Sequence, residues 1–235
     1  GTNAMEDATN TEINKDYLQV FDADGNDVTG RFTVDVNPGQ FQILKREITV
    51  SAEKTVKYNG FDQKLDITEA DITAGSVAGG ETLDLSASVT GKDKGVYDEL
   101  DATPAYKVTD GEGNETTSNY TITVTGKLTI EQAAADAFTG TVTLDDWTYG
   151  DEAKAEAPEV TPAGSDYADP TYLYKVKGAD DSTYTDQKPT QAGDYTVKAT
   201  WAATENCPEI SDTDDFSILK REITVSAEKT VKYNG

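Results

Sequence analysis

Few side chains in this chain can do chemistry, and their types restrict what it can be. It contains no histidine, so the commonest general base and the commonest metal ligand are both missing. Cys207 is the single cysteine. It permits neither a disulfide nor a thiolate zinc site, and a thiol without an imidazole beside it is a poor nucleophile. Its expected place is that of a small buried hydrophobe. Oxygen donors, in contrast, are abundant. "DADGND", Asp22 to Asp27, has the donor density of a calcium loop, but an EF-hand needs glycine at its sixth position and Gly25 is fourth. A hairpin turn in which Asp, Asn and Gly reach positive φ accounts for the same residues. The 44 carboxylates always offer pairs suited to glycoside hydrolysis, yet nothing gathers such a pair into a cleft. The remaining candidates are aromatic. Trp147 and Tyr149 of "WTYGD" share one side of an extended segment, and Tyr172 opens "YLYK". These three are the candidate ligand residues of a carbohydrate platform, set against core packing as the simpler reading. No catalytic or metal-ligating residue is expected, and no cofactor.

The charge balance narrows the partners further. With 44 acidic and 20 basic residues the net charge is −24. A field of that sign opposes nucleic acid, whose affinity comes from Lys and Arg neutralising phosphates, and it opposes adsorption on anionic membranes. No apolar run approaches the roughly 20 residues that cross a bilayer. Neither a nucleic-acid partner nor membrane insertion of this segment is expected.

The elements that must position these residues read as strands. Period-two alternation dominates. In "GDYTVKATW" Tyr195, Val197, Ala199 and Trp201 share one face, with Thr196, Lys198 and Thr200 on the other. The same pattern puts Leu83, Leu85, Ala87 and Val89 inward, and likewise Tyr120, Ile122 and Val124, then Ile48, Val50 and Ala52, then Tyr172, Tyr174 and Val176. Stretches rich in Gly, Asp, Asn and Pro separate these runs, as turns require. Helix is scarce. "TEADI" (Thr68 to Ile72) offers a Thr N-cap, and "TIEQAAADAF" (Thr129 to Phe138) is either a short helix or an extended linker. Tyr58-Asn59-Gly60 is a hairpin signal that needs no ligand.

Internal repetition organises the chain. "FQILKREITVSAEKTVKYNG", Phe41 to Gly60, returns as "FSILKREITVSAEKTVKYNG", Phe216 to Gly235, with a single difference, Gln42 against Ser217. An offset of 175 residues is too long for one solenoid unit and therefore spans more than one domain. Residues from Asp16 to Ile43 and from Tyr106 to Ile130 also follow one scheme: strand, D-x-x-G-N turn, aromatic-led strand, Gly-containing turn, closing strand. The expected organisation has four parts. Residues 1–45 form the back of a first-type domain and 46–131 a complete copy. Residues 132–219 form a domain of a second type, and 220–235 the opening strands of a further first-type copy. The fold class expected is all-β, an elongated tandem array of small Ig-like or Greek-key β-sandwich domains of two alternating types.

"REITVSA" followed by "KTVKYNG" resembles the opening of the YDG-type repeat domains of bacterial surface proteins, with Tyr58, Asn59 and Gly60 at the Tyr-Asp/Asn-Gly turn. Thr141 to Ile218 resembles the MBG-type domains that often accompany them, through "WTYGD", "YLYK", "PTQAGDYTVKATW" and the closing "DFSI". One departure is Asn206-Cys207, where similar domains tend to show Asn-Tyr. The resemblance implies a non-enzymatic stalk or spacer in an adhesin-like protein outside a bacterial cell, on its surface or wall, often in Gram-positive gut organisms. Its partners would be neighbouring repeat domains, or, in the alternative reading, a host glycan or protein bound through exposed aromatics.

Overall fold

The structure, a computed structural model, describes residues 3–4, 9–11, 17–35 and 39–234. The start of the first-type scheme at Asp16 and the closing Gly235 lie outside them. Among the described residues there is no α-helix, only strands joined by turns and short 3-10 segments. The fold is all-β. In chain order the strands are β1 (Thr9–Thr11), β2 (Gly39–Phe41), β3 (Arg46–Lys57), β4 (Gln63–Ile67), β5 (Ile72–Ala74), β6 (Thr82–Gly91), β7 (Gly95–Tyr97) and β8 (Ala105–Thr109). They continue as β9 (Tyr120–Glu131), β10 (Thr139–Thr143), β11 (Trp147–Thr148), β12 (Ala157–Thr161), β13 (Thr171–Val176), β14 (Gly193–Trp201) and β15 (Ile210–Leu219).

Two compact units divide the chain. The first comprises residues 1–53, 64–89 and 98–127, and the second 54–63, 90–97 and 128–235. The core of the first unit comes from the alternation read above. Ile48, Val50 and Ala52 on β3, Leu83, Leu85 and Val89 on β6, and Val108 on β8 are all buried. The sheets are ordered β5-β3-β9-β7 and β4-β6-β8. Gly126 of β9 shows their inner faces meeting: a Cβ there would lie 2.6 Å from Ile67 Cδ1 and 2.9 Å from Val89 Cγ2. Thr68 does cap a turn, and the turn is 3-10. Its hydroxyl accepts from the Ala70 amide while Asp71 accepts from the Thr68 amide.

Of the scheme shared by the two segments, the D-x-x-G-N turn is formed twice with matching hydrogen bonds, 88 residues apart, while residues 32–35 do not form the strand that Tyr120 opens. Gly25 N donates to Asp22 O and Gly113 N to Asp110 O, both at 3.0 Å. The Val20 amide donates to Thr29 Oγ1 at 2.7 Å, as Val108 does to Thr117 Oγ1 at 2.9 Å. Isolated bridges join Phe21 to Asp27 and Thr109 to Glu115. One local sequence code has thus folded twice into one geometry.

In the second unit β11-β15-β14-β13 form one sheet and β10-β12 another. Val142, Leu144, Trp147, Tyr174, Val197, Ala199, Trp201, Phe216 and Ile218 form its core. Gly140 lies flat on Trp201, where a Cβ would come within 2.5 Å of ring atom Cζ3. Val197, Ala199 and Trp201 of β14 are buried as expected and Tyr195 is partly buried, while Thr196 on the opposite face is buried too, its hydroxyl donating to Asp215 Oδ1 at 2.6 Å. Val176 departs from expectation. It is 60 % exposed because β13 ends there, and the Ala179 amide turns back onto its carbonyl. Thr129 to Phe138 resolves in favour of the extended form: β9 runs to Glu131, and a turn closed by Ala137 N on Ala134 O follows.

Tyr58-Asn59-Gly60 is not a hairpin. β3 and β4, which it joins, belong to different sheets, so the segment is a corner between sheets. Asn59 supplies a side-chain turn, its Oδ1 accepting from the Phe61 amide at 3.0 Å, and Gly60 adopts φ +85°.

Candidate functional site

The three aromatic candidates do not form one surface. Trp147 is buried and stacks on Phe216 with centroids 5.3 Å apart and planes 14° apart. Lys188 caps its ring, with Nζ 5.8 Å from the centroid. Tyr172 is half-buried, packed against the same core. Only Tyr149 is substantially open, at 45 % exposure. It sits beside Gln191, Ala192, Lys220, Arg221 and Ile223 on an open depression of about 450 Å³. There Arg221 Nε donates to the Tyr149 carbonyl at 2.8 Å, and the guanidinium also pairs with Asp151.

The acidic turns at Asp22 and Asp110 show what fills their oxygens. Asp22 Oδ1 accepts from the amides of Asp24 at 3.1 Å and Asn26 at 2.9 Å, and both carboxylate oxygens receive the Asn26 side-chain amide. Asp110 repeats the arrangement with Glu112 and Asn114. These bonds, led by Asn26 in the first turn and Asn114 in the second, hold both carboxyls below the usual aspartate range. A cation would have to displace donors already in place, and no group of three metal-type ligands occurs among the described residues. We therefore expect millimolar calcium to shift the melting temperature no more than magnesium at equal ionic strength. A saturable, chelator-reversible rise of many degrees would show these loops to be calcium sites.

The densest polar constellation was not visible in the sequence. It surrounds Asn206 in the second unit. This side chain is buried; its Nδ2 donates to Asp93 Oδ1 and Asp166 Oδ2, each at 3.0 Å, and its Oδ1 accepts from the Lys94 amide at 2.7 Å. Its carbonyl accepts from Ala133 N at 2.8 Å. One residue thereby ties together segments more than 100 positions apart, with every amide hydrogen and the acceptor oxygen used. Burial pushes the Asp166 carboxyl up, but hydrogen bonds from Thr204, Cys207 and Asn206 outweigh it and leave the group below its ordinary value. Cys207 is fully buried, as expected, and burial raises its thiol. Beside it Tyr167 donates to the Pro208 carbonyl, and its phenol is pushed up to about 12, chiefly by burial.

Tyr58 enters the same region. It is 2 % exposed, and its hydroxyl donates to Gly164 O at 3.0 Å. Phe138 lies between the rings of Tyr58 and Tyr167, 6.2 and 6.3 Å from their centroids. Gly60 meets Gly164 backbone to backbone, so closely that a Cβ on Gly60 would stand 2.3 Å from Gly164 O. The Tyr-Asn-Gly corner is therefore a packed seat, and its glycine is required by its neighbour as well as by φ. These residues fasten loops together; they offer neither an open cleft nor a nucleophile.

No family model matches the chain, and no curated protein matches it. Among solved structures it is similar, at 14 % identity and a TM-score of 0.20, to a SusE-like, surface-located polysaccharide-binding protein from the heparin utilisation locus of Bacteroides thetaiotaomicron. The match covers 75 % of this chain and 34 % of that one. A TM-score of 0.20 is too low to define a common fold.

Proposed function

We propose that this chain is a non-enzymatic spacer segment of an extracellular tandem-repeat bacterial surface protein, similar to YDG- and MBG-type repeat stalks. It would comprise a complete first-type domain over residues 46–131 and a second-type domain over 132–219, flanked by parts of further first-type copies at 1–45 and 220–235. The observation that carries this reading is the double repetition: a nearly identical sequence at an offset of 175 residues, and one hydrogen-bonded turn at an offset of 88. Closing strand β15 leads into the second "LKRE" without a Gly- or Pro-rich linker, which supports stiff connections. The role is to hold a distal binding region away from the envelope. Small-angle scattering on chains with one, two and three 175-residue periods tests it: the maximum dimension should grow by a constant increment per period. Growth as the square root of period number, as for a flexible chain, would overturn the stiff spacer.

The alternative, a domain that itself grips a host glycan or protein, draws support from Tyr149 and its open depression. Trp147 and Trp201, at 7 % and 3 % exposure, are unavailable for stacking on sugars, which favours the spacer. Saturable glycan binding lost in Tyr149→Ala would reverse that preference.

A further inference from the structure

The sheet β11-β15-β14-β13 has a second face, turned away from the core that holds Trp147 and Trp201. The alternation that sends Val197, Ala199 and Trp201 inward sends Thr196 and Lys198 the other way. On that face cross-strand pairing sets Thr196 between Lys175 of β13 and Asp215 of β15, and Lys198 beside Thr213. These residues floor an open depression of about 570 Å³, within the roughly 300–1,000 Å³ of small-ligand sites. Gly178, Asp181 and Tyr184, from the loop after β13, complete its lining. The whole site belongs to the second unit.

The loop is fastened to the floor. Lys175 is only 12 % exposed; its Nζ donates to Ala179 O at 2.9 Å and to Asp181 Oδ1 at 2.5 Å, and lies 4.8 Å from the centre of the Tyr184 ring. Asp180 caps the turn between them, accepting from the Ser182 amide at 2.9 Å. Lys177 pairs with Asp215 at 3.0 Å. Two of the three lysines are thereby engaged by the two aspartates. Lys198 is not: among the described residues its Nζ has no ion pair, and the Ser211 and Thr213 hydroxyls beside it have no hydrogen bond. The chain as a whole carries 44 acidic residues against 20 basic ones, yet three lysines against two aspartates leave this depression one positive charge in surplus.

We propose that this depression binds a sugar bearing a single negative charge, a carboxylate or a sulfate ester, with the anionic group on Lys198. Each lining group suits one part of such a ligand. The ammonium of Lys198 is a donor-only point charge for the anion. The Ser211 and Thr213 hydroxyls bond ring hydroxyls nearby, the carboxylates of Asp181 and Asp215 accept from others, and Tyr184 offers apolar surface to the ring. One surplus charge also sets a limit. A phosphate ester brings a second negative charge close to Asp181 and Asp215 and is repelled. The site lies across the sheet from Trp147, and it does not depend on the spacer role.

Titration of the isotopically labelled 235-residue chain, followed amide by amide, tests this with glucuronate, glucose 6-sulfate, glucose, glucose 6-phosphate and acetate. At least one of the two singly charged sugars should give saturable shifts centred on Lys198, Ser211 and Thr213, and the tighter of the two identifies the anionic group. Glucose, which lacks the charge, and acetate, which lacks the hydroxyls, should bind about tenfold more weakly or worse. Lys198→Ala should weaken the charged sugar by about tenfold or more at an unchanged melting temperature, because Lys198 belongs to no core, and Lys198→Arg should restore most of the loss. Thr213→Val, which keeps every charge, should weaken it severalfold. No saturable shift at these amides with either singly charged sugar would overturn the proposal. Acetate binding as tightly as the sugars would reduce the site to anion adsorption, and glucose binding as tightly would remove the role of Lys198. Undiminished binding by Lys198→Ala, or tighter binding of glucose 6-phosphate than of both singly charged sugars, would equally defeat it.

Discussion

Trp201→Ala should unfold the core of the second unit while the strands of the first keep their protection. The ring is 3 % exposed, faces Gly140 across the sheets and belongs to the cluster containing Trp147, Val197 and Phe216. Truncating a buried tryptophan costs about 3–5 kcal/mol, a large share of the roughly 5–15 kcal/mol by which a domain is stable. Trp147 remains in the variant as the fluorescent reporter of this core. Hydrogen exchange should show amides of β14 and β15 opening while those of β6 stay slow. If both units lose protection together, their cores are not separate. Lys198→Ala, one face away on the same strand, should change stability by less than about 0.5 kcal/mol.

Gly60→Ala should be nearly as damaging, for a different reason. The left-handed backbone at φ +85° costs an alanine about 1–2 kcal/mol, and the added Cβ would stand 2.3 Å from a backbone oxygen that cannot rotate away. Gly25→Ala isolates the first effect, since Gly25 has φ +82° and nothing within 4 Å of its Cβ position. We expect a loss on the order of 3 kcal/mol or more at Gly60 against about 1 at Gly25. Gly164→Ala should fall between them, its Cβ meeting Gly60 Cα at 3.2 Å. Exchange at the Tyr58 and Ala133 amides, measured beside the melting temperatures, reports whether the seat has opened. Equal losses at Gly60 and Gly25 would mean that the close approach contributes nothing.

Alternation made the strand faces legible because a half-buried strand writes its environment into every second residue. That rule placed Val197, Ala199 and Trp201, and Leu83 to Val89, correctly, but it missed that Thr196 is covered on the other face by its bond to Asp215. It failed at Val176, where the pattern continues one residue past the point at which the sheet stops covering it. Turn chemistry located Asp22, Asp110 and Thr68, whose partners lie within four residues. The Asn206 constellation and the seat of Tyr58 stayed hidden because their partners lie up to 113 residues away, and neither leaves a periodic trace. The Asn59-Gly60 dipeptide signal even misled, since Asn-Gly marks a reversal but not whether the chain returns to the same sheet. Trp147 and Tyr149, two residues apart on an extended segment, differ because Phe216 covers one and the sheet edge leaves the other open.

β3 and β9 are neighbours in one sheet and run parallel, since their contacts ascend together from Ser51 with Thr125 to Tyr58 with Glu131; they and the parallel pair β11 with β15 decide how these sheets respond to tension. Parallel strands admit the chain at one limit of the pair and release it at the other. A pull on both ends then slides the strands lengthwise and loads all the bonds between them at once. An antiparallel pair drawn apart at one end opens like a zipper, bond after bond. Rupture under load follows the unfolding rate and not the equilibrium stability, so a thin core can still withstand stretching. The two clamps are unequal. β3 and β9 each run 12 residues, whereas β11 contributes only Trp147 and Thr148, extended by the Tyr149 amide on Leu219 O. A lengthwise pull on β3 and β9 is therefore shared along a long ladder, whereas the parallel ladder of β11 with β15 is only two residues long.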